Sequence, residues 1–203
     1  MKHRVVVMLG MKGGTGKSTV AIHLAVAASQ AKHRVMLLDT DPQATAVRWT
    51  RQRQALEPTV MGAAAYDAAK HIGASSCDLI VVDTAPRAET DISRLAAQAD
   101  LIVIPLHCTM PDLDAAEVAF QMAEAAGRPF VIVFNAINPR GLEVAEVREA
   151  LTGQGYMVAP SMLAHRTAFA RALSSGLAVT EFEQEGRAAE EITNLWKWIA
   201  KRI

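Results

Sequence analysis

Gly10-Met11-Lys12-Gly13-Gly14-Thr15-Gly16-Lys17-Ser18-Thr19 follows the apolar run Val5-Val6-Val7-Met8-Leu9 and leads straight into an alanine-rich, helix-like segment. A plain glycine-rich turn between a strand and a helix needs neither a lysine nor a hydroxyl at fixed offsets, and this stretch has both. Gly13, Gly14 and Gly16 let backbone N–H groups turn inward around a polyphosphate, Lys17 reaches the β- and γ-phosphates, and the Ser18 hydroxyl takes a Mg²⁺ position. Thr15 and Thr19 belong to the same nucleotide-binding stretch. The helix that starts near Lys17 aims its positive dipole end at the same anion. Strand, phosphate loop and helix together make the first unit of an α/β sheet.

One departure from the general GxxxxGK[ST] pattern is informative. The first glycine belongs at position 11, where Met11 stands, and the loop carries a second lysine, Lys12. KGGxGK[ST] resembles the deviant Walker A loop of the ParA/MinD class of P-loop ATPases, and within it the small, ParF-like partition ATPases. The resemblance implies that the extra lysine reaches across a dimer interface to the partner's ATP, a role that falls on Lys12.

At 203 residues the chain is most economically one domain with a large core. Its apolar runs are short and interrupted, so none approaches the ~20 residues that span a bilayer. The start Met1-Lys2-His3-Arg4 is basic, but the apolar run after it is too short for a signal peptide and ends in the phosphate loop. The expectation is a soluble, cytoplasmic protein. Cys77 and Cys108 have neither CxxC spacing nor a secretory context and read as free thiols. The nitrogenase iron protein shares the deviant loop and holds a cluster with paired cysteines. Cys77, however, precedes the strand Leu79–Asp83 at the end away from the nucleotide, which argues against such a cluster here. Formal net charge is zero, so DNA contact has to come from a local patch rather than from bulk charge.

Short β-branched runs alternate with longer alanine-rich segments, the pattern of βαβ units and of a mostly parallel sheet covered by helices on both faces. Strands are expected at Arg4–Leu9, Arg34–Asp39, Leu79–Asp83, Leu101–Pro105, Phe130–Asn135, around Thr59–Met61 and near Met157–Val158. Helices are expected at Ser18–Ala31, Ala44–Ala55, Glu89–Ala97, Leu113–Ala126 and Glu143–Gly153. Repeats, low-complexity tracts and linkers are absent. The chain begins a few residues before its first strand, so no helix-turn-helix domain is expected ahead of the loop, nor the sequence-specific DNA binding such a domain brings.

Asp39 and Asp41 follow an apolar strand, and ligands of open parallel sheets gather beyond the carboxyl ends of strands. The motif DxDPQ (Asp39 to Gln43) resembles switch I of the ParA family; by that resemblance Asp39 belongs to the magnesium environment and Asp41 positions or activates the attacking water. An Asp-Pro turn with a helix-capping role is the structural alternative. Asp78-Leu-Ile-Val-Val-Asp83 is a Walker B pattern whose terminal carboxylate meets hydrated Mg²⁺. Thr84-Ala85-Pro86 stands where the family's switch II usually shows two prolines. By the same resemblance Asn135 hydrogen-bonds the adenine and the loop around Pro160 closes the other side of the base. Asn135-Ala-Ile-Asn138 lacks the NKxD signal of a guanine site, so ATP is favoured.

The segment from His165 and Arg166 through Arg171 to Gly176 and Phe182 resembles the family's late "R…A…G..V.E" region, where a basic residue contributes to non-specific DNA contact. In the last helix Ile192, Leu195, Trp196 and Ile199 form an apolar stripe, with Lys197, Lys201 and Arg202 beside it. These basic residues are DNA candidates, and equally they complement the dipole of the helix C-terminus. The resemblance covers nearly the whole chain, specifically in its first 90 residues and loosely afterwards. It implies an ATPase that binds Mg·ATP, dimerises around it, holds DNA non-specifically as a nucleoid-associated form, and is released when a ParB-like or other activating partner stimulates hydrolysis. The usual task is segregating a plasmid or chromosome, or positioning a large cytoplasmic cargo. A MinD-like membrane-associated protein and a small-molecule enzyme of the dethiobiotin synthetase kind share the fold and stay open alternatives.

Overall fold

The structure is a computed structural model that describes residues 3–86 and 90–203. Six parallel strands form one sheet in the order β3-β2-β4-β1-β5-β6. They are β1 (Arg4–Met8), β2 (Val35–Asp39), β3 (Thr59–Gly62), β4 (Leu79–Asp83), β5 (Leu101–Leu106) and β6 (Phe130–Phe134). Strand β1 runs in the middle, paired with β4 on one side and β5 on the other. The chain reverses direction across the sheet at β1, and the phosphate loop emerges at that reversal, where α/β sheets bind ligands.

The helices are α1 (Lys17–Gln30), α2 (Thr45–Trp49), α3 (Ala68–Ala74), α4 (Thr90–Ala96), α5 (Met110–Ala125), α6 (Leu142–Gly153), α7 (Thr167–Ser174), α8 (Val179–Phe182) and α9 (Arg187–Ile199). Alternation along β1 divides the core in two. Val6 and Met8 face α1, α2, α7, α8 and α9, whereas Val5, Val7 and Leu9 face α3 to α6. Strands β2 and β4 are buried along their whole length, as strands covered on both faces must be. Helix α1 has almost no polar face because α8 and α9 pack over the side turned away from the sheet. His23 within it is fully buried; its Nδ1 accepts the Val179 N–H at 3.2 Å, and its ring meets the edge of Phe169.

Two expectations need correction. The strand near Met157–Val158 is a single parallel bridge between Val158 and Ile132: the Ile132 N–H bonds Met157 O and Ile132 O accepts the Ala159 N–H, after which the chain arches away. The helix expected over Ala44–Ala55 stops at Trp49 and passes through a 3₁₀ turn, Thr50–Gln52. Arg53 leaves that turn in an extended conformation to meet Glu181 at 2.8 Å, and no local sequence signal carries such a tertiary pull. The helix expected from Glu89 is described from Thr90 onward; Glu89 lies outside the described residues.

Candidate nucleotide site

Gly14 and Gly16 of the phosphate loop hold left-handed backbone, φ +85° and +93°, a region open to glycine at no steric cost. At Gly16 there is a second constraint, since a Cβ there would sit 2.0 Å from Asn135 Nδ2. That amide donates to Thr15 O at 2.8 Å, so Asn135, at the end of β6, braces the loop from below. Pro160 is exposed on the arch that follows, between Ala159, bonded to Ile132 O, and Leu163, bonded to Phe134 O.

The two lysines of the loop have separate surroundings. Lys17, at the first turn of α1, is buried and directs Nζ to Lys12 O at 3.3 Å, inside its own loop. Burial lowers its pKa, while Asp83 and Asp41 pull it back up. Lys12 leaves the loop and meets Asp112 Oδ1 at 2.6 Å. Asp112 is buried in the first turn of α5, takes the Thr109 hydroxyl on its other oxygen, and has His107 Nδ1 at 3.7 Å. Burial works to raise its pKa, but the hydrogen bonds from Lys12 and Thr109 outweigh it and hold the carboxyl below the usual range. Sequence reasoning missed Asp112. The available signal was Thr109-x-x-Asp112 at a helix start directly after an apolar strand.

The two strand-end aspartates are in register, Asp39 opposite Asp83. Their surroundings differ. Asp39 Oδ2 accepts the N–H groups of Ala46 and Val47 at 2.9 and 3.1 Å, and Oδ1 accepts the Asp41 N–H at 3.2 Å. It therefore holds the first turn of α2, while burial raises its pKa against those bonds. Asp41 is half-buried and accepts the Gln43 N–H at 2.9 Å. Both oxygens of Asp83 are buried without a hydrogen-bond donor in good geometry. Burial pushes its pKa up to about 7, and the nearby Ser18 hydroxyl and Lys17 work the other way. A buried, unpaired carboxylate beside a phosphate loop fits a divalent cation. Thr40 ties the two strand ends together, its N–H and hydroxyl both bonding Asp83 O, and the Thr84 hydroxyl bonds Met8 O at 2.6 Å. Ala85 and Pro86 follow, buried and half-buried.

The structure thus brings Lys12, Gly13, Gly14, Thr15, Gly16, Lys17, Ser18, Thr19, Asp39, Asp41, Asp83 and Asn135 to the carboxyl end of the sheet. Cys77 and Cys108 lie at opposite ends of it, before β4 and after β5, and both are free thiols. The late basic residues have unlike surroundings. Arg166 is bound to Glu191 at 2.6 Å, Arg171 lies over Phe182, and Arg202 stacks on Trp198 at 3.5 Å while donating to Trp198 O. Lys197 and Lys201 stay exposed.

Fold and site define a phosphate-loop α/β nucleotide-binding protein. The family pattern of the CobQ/CobB/MinD/ParA nucleotide binding domain matches residues 6–179, and the chain belongs to that family. It is 28% identical to the maintenance of carboxysome distribution protein A of Gloeobacter kilaueensis, covering 96% of each chain. It is 27% identical to the protein ParA of Rhizobium radiobacter over 85% of this chain and 83% of that one. The fold is that of a putative plasmid partition protein of Borrelia burgdorferi solved with AMPPNP, with a TM-score of 0.80, 16% identity and full coverage of both chains.

Proposed function

We propose that the chain is a ParA-type ATPase that closes into a homodimer around ATP, holds DNA without sequence preference, and lets go when a partner protein stimulates hydrolysis. The observation that carries this reading is the division between the two loop lysines. Lys17 stays inside its own cradle, whereas Lys12 points out of it, onto a buried carboxylate on a neighbouring helix. A lysine kept out of its own phosphate site supports a role on the nucleotide of a second copy, once it leaves Asp112. The relatives named above, a carboxysome-distribution protein and partition proteins, support positioning of a large cargo as the task.

Within the cradle, backbone N–H groups of Gly13 to Lys17 and the start of α1 hold the polyphosphate, and Lys17 neutralises its β- and γ-oxygens. Ser18 and Asp83 would hold Mg²⁺, with Asp39 behind them, and the ion would offset the negative charge that develops on the phosphate during transfer. Asp41 stands at the γ-phosphate end as the carboxylate that orients the attacking water. Asn135 and the arch of Pro160 border the adenine side. Cleavage that relies on a positioned water and fixed charges is slow until a partner completes the site.

Among the described residues no helix is long and apolar enough to cross a membrane. Ile192, Leu195, Trp196 and Ile199 of α9 are all buried in the core, so that stripe is committed to the fold and does not support the MinD-like alternative. The test is retention of random-sequence duplex DNA at low salt with ATP and with ADP. Binding with ATP alone is expected; a protein that ignores DNA in both states and phosphorylates a metabolite instead would overturn the proposal.

A further inference from the structure

We propose that Arg48 and Arg51 of the α2 segment, together with Arg171 of α7, form the surface that holds the DNA phosphate backbone, and that α2 links this surface to Asp39. The inference rests on the reading that the ATP-bound protein retains DNA.

Charge is spread unevenly over the helices that cover the sheet, with Glu181, Glu190 and Glu191 of α8 and α9 as the helical acids on the face of α2 and α7. On one face, α5 contributes four carboxylates and α6 three, seven in all against the single cation Arg148. On the other, α2 with its 3₁₀ turn, and α7, contain three arginines and not one acid. These two segments border a cleft of about 260 Å³, with Thr45, Arg48, Trp49 and Gln52 on one side and Leu173 and Ser174 on the other. All three arginines are exposed. Among the described residues neither Arg48 nor Arg51 has a carboxylate partner, unlike Arg53 and Arg166. The remaining exposed positions of α7 are Thr167, Ala170 and Ser174, hydroxyls and a methyl with nothing to insert into lipid. Unpaired guanidiniums beside neutral donors, without a projecting helix to read base edges, suit phosphate contact.

The patch is fixed in place. Trp49 Nε1 donates to Leu177 O at 3.3 Å, and Arg53 Nη1 donates to Gly176 O at 3.1 Å and to Glu181 at 2.8 Å. Gly176 has φ +69°, and a Cβ there would lie 2.4 Å from the Gln52 carbonyl carbon; only a glycine allows the α7–α8 turn to press against this backbone. At its other end α2 is held by the Asp39 carboxylate through Ala46 and Val47. The helix is five residues long, so a change at Asp39 reaches Arg48 within a single turn.

The experiment measures retention of random-sequence duplex by the full chain with ATP across a salt series. The wild type is compared with Arg48→Ala/Arg51→Ala, with Arg171→Ala, and with Lys70→Ala, an exposed cation of α3 on the other face of the sheet. Dimer mass with ATP is read by light scattering in parallel. A dimer with both arginines replaced in each copy loses four contacts, so the slope of log affinity against log salt should flatten by about 3 to 4. Arg171→Ala should flatten it by about 2, and Lys70→Ala should leave it unchanged. If wild type ignores DNA, the functional reading fails and takes this inference with it. If wild type binds and the arginine variants keep its slope, the patch alone is wrong. Loss of the dimer in Arg48→Ala/Arg51→Ala would make these arginines assembly residues and overturn the proposal. So would ATP-dependent flotation with phosphatidylglycerol vesicles that needs the arginines while DNA retention does not.

Discussion

Lys12 Nζ and Asp112 Oδ1 lie 2.6 Å apart although 100 positions separate them in the chain. The contact joins the phosphate loop to the first turn of α5 and keeps the Lys12 amine away from the anion cradle that Lys17 serves. Two lysines five residues apart therefore have different surroundings.

Lys17→Ala should lose ATP binding, whereas Lys12→Ala should bind nucleotide with near wild-type affinity and remain a monomer without ATPase activity. Titration calorimetry and light scattering separate the two outcomes. Equal loss of nucleotide affinity in both variants would refute the division.

Asp41→Ala should bind ATP, close into a dimer and stay there, because in the proposed cycle the carboxylate it removes orients water and does not hold phosphate. Phosphate release should fall by about two orders of magnitude or more, the usual scale for a positioned acid–base group. Wild-type release rates would remove Asp41 from the mechanism.

Asn135→Ala withdraws the donor to Thr15 O in a buried setting, which costs about 1–3 kcal/mol locally. If most of that falls on the loop, ATP affinity drops by about 5- to 100-fold with little change in the melting temperature. Gly16→Ala should be harsher, since it meets a left-handed backbone and the Asn135 amide together. Both are read by calorimetry, and unchanged affinity in Asn135→Ala would show that the brace is idle.

Burial lowers the His23 pKa from 6.5 to about 3, and this fixes the sign of a pH effect. Above pH 6.5 the imidazole is neutral folded or unfolded and contributes nothing to pH dependence. As pH falls from there, the unfolded chain takes a proton that the folded chain refuses, so stability is lost, by about 2 kcal/mol at pH 5. His23→Gln keeps an acceptor for the Val179 N–H and removes the titration. Its melting temperature should fall less between pH 7 and pH 5 than that of the wild type; parallel acid slopes would discount His23.

The central part of the site was legible because its chemistry is local. A phosphate loop has to be a short glycine-rich turn with a lysine and a hydroxyl at fixed offsets, and a strand buried on both faces has to be a run of apolar residues, here ending in an aspartate. Sheet, cradle and the carboxylates Asp39 and Asp83 followed from such runs. The orientation of those carboxylates did not. Asp39 caps α2 while Asp83, its partner in register, keeps both oxygens without a donor, and nothing in either strand distinguishes them. The late basic residues illustrate the same limit from the other side: a list of cations near the C-terminus could not show that Glu191 occupies Arg166 or that Trp198 lies under Arg202.

The sequence by itself determined the six strands of the sheet in their order along the chain, the nucleotide cradle and its second lysine, because each depends on spacing within a few residues. Only the tertiary structure decided where Lys12 rests, why Gly176 is a glycine, and that Arg48 of α2 and Ser174 of α7 line one cleft. Those are relations between segments about 100 residues or more apart. They arise from how the two layers of helices close over the sheet, and no short-range pattern records that closure.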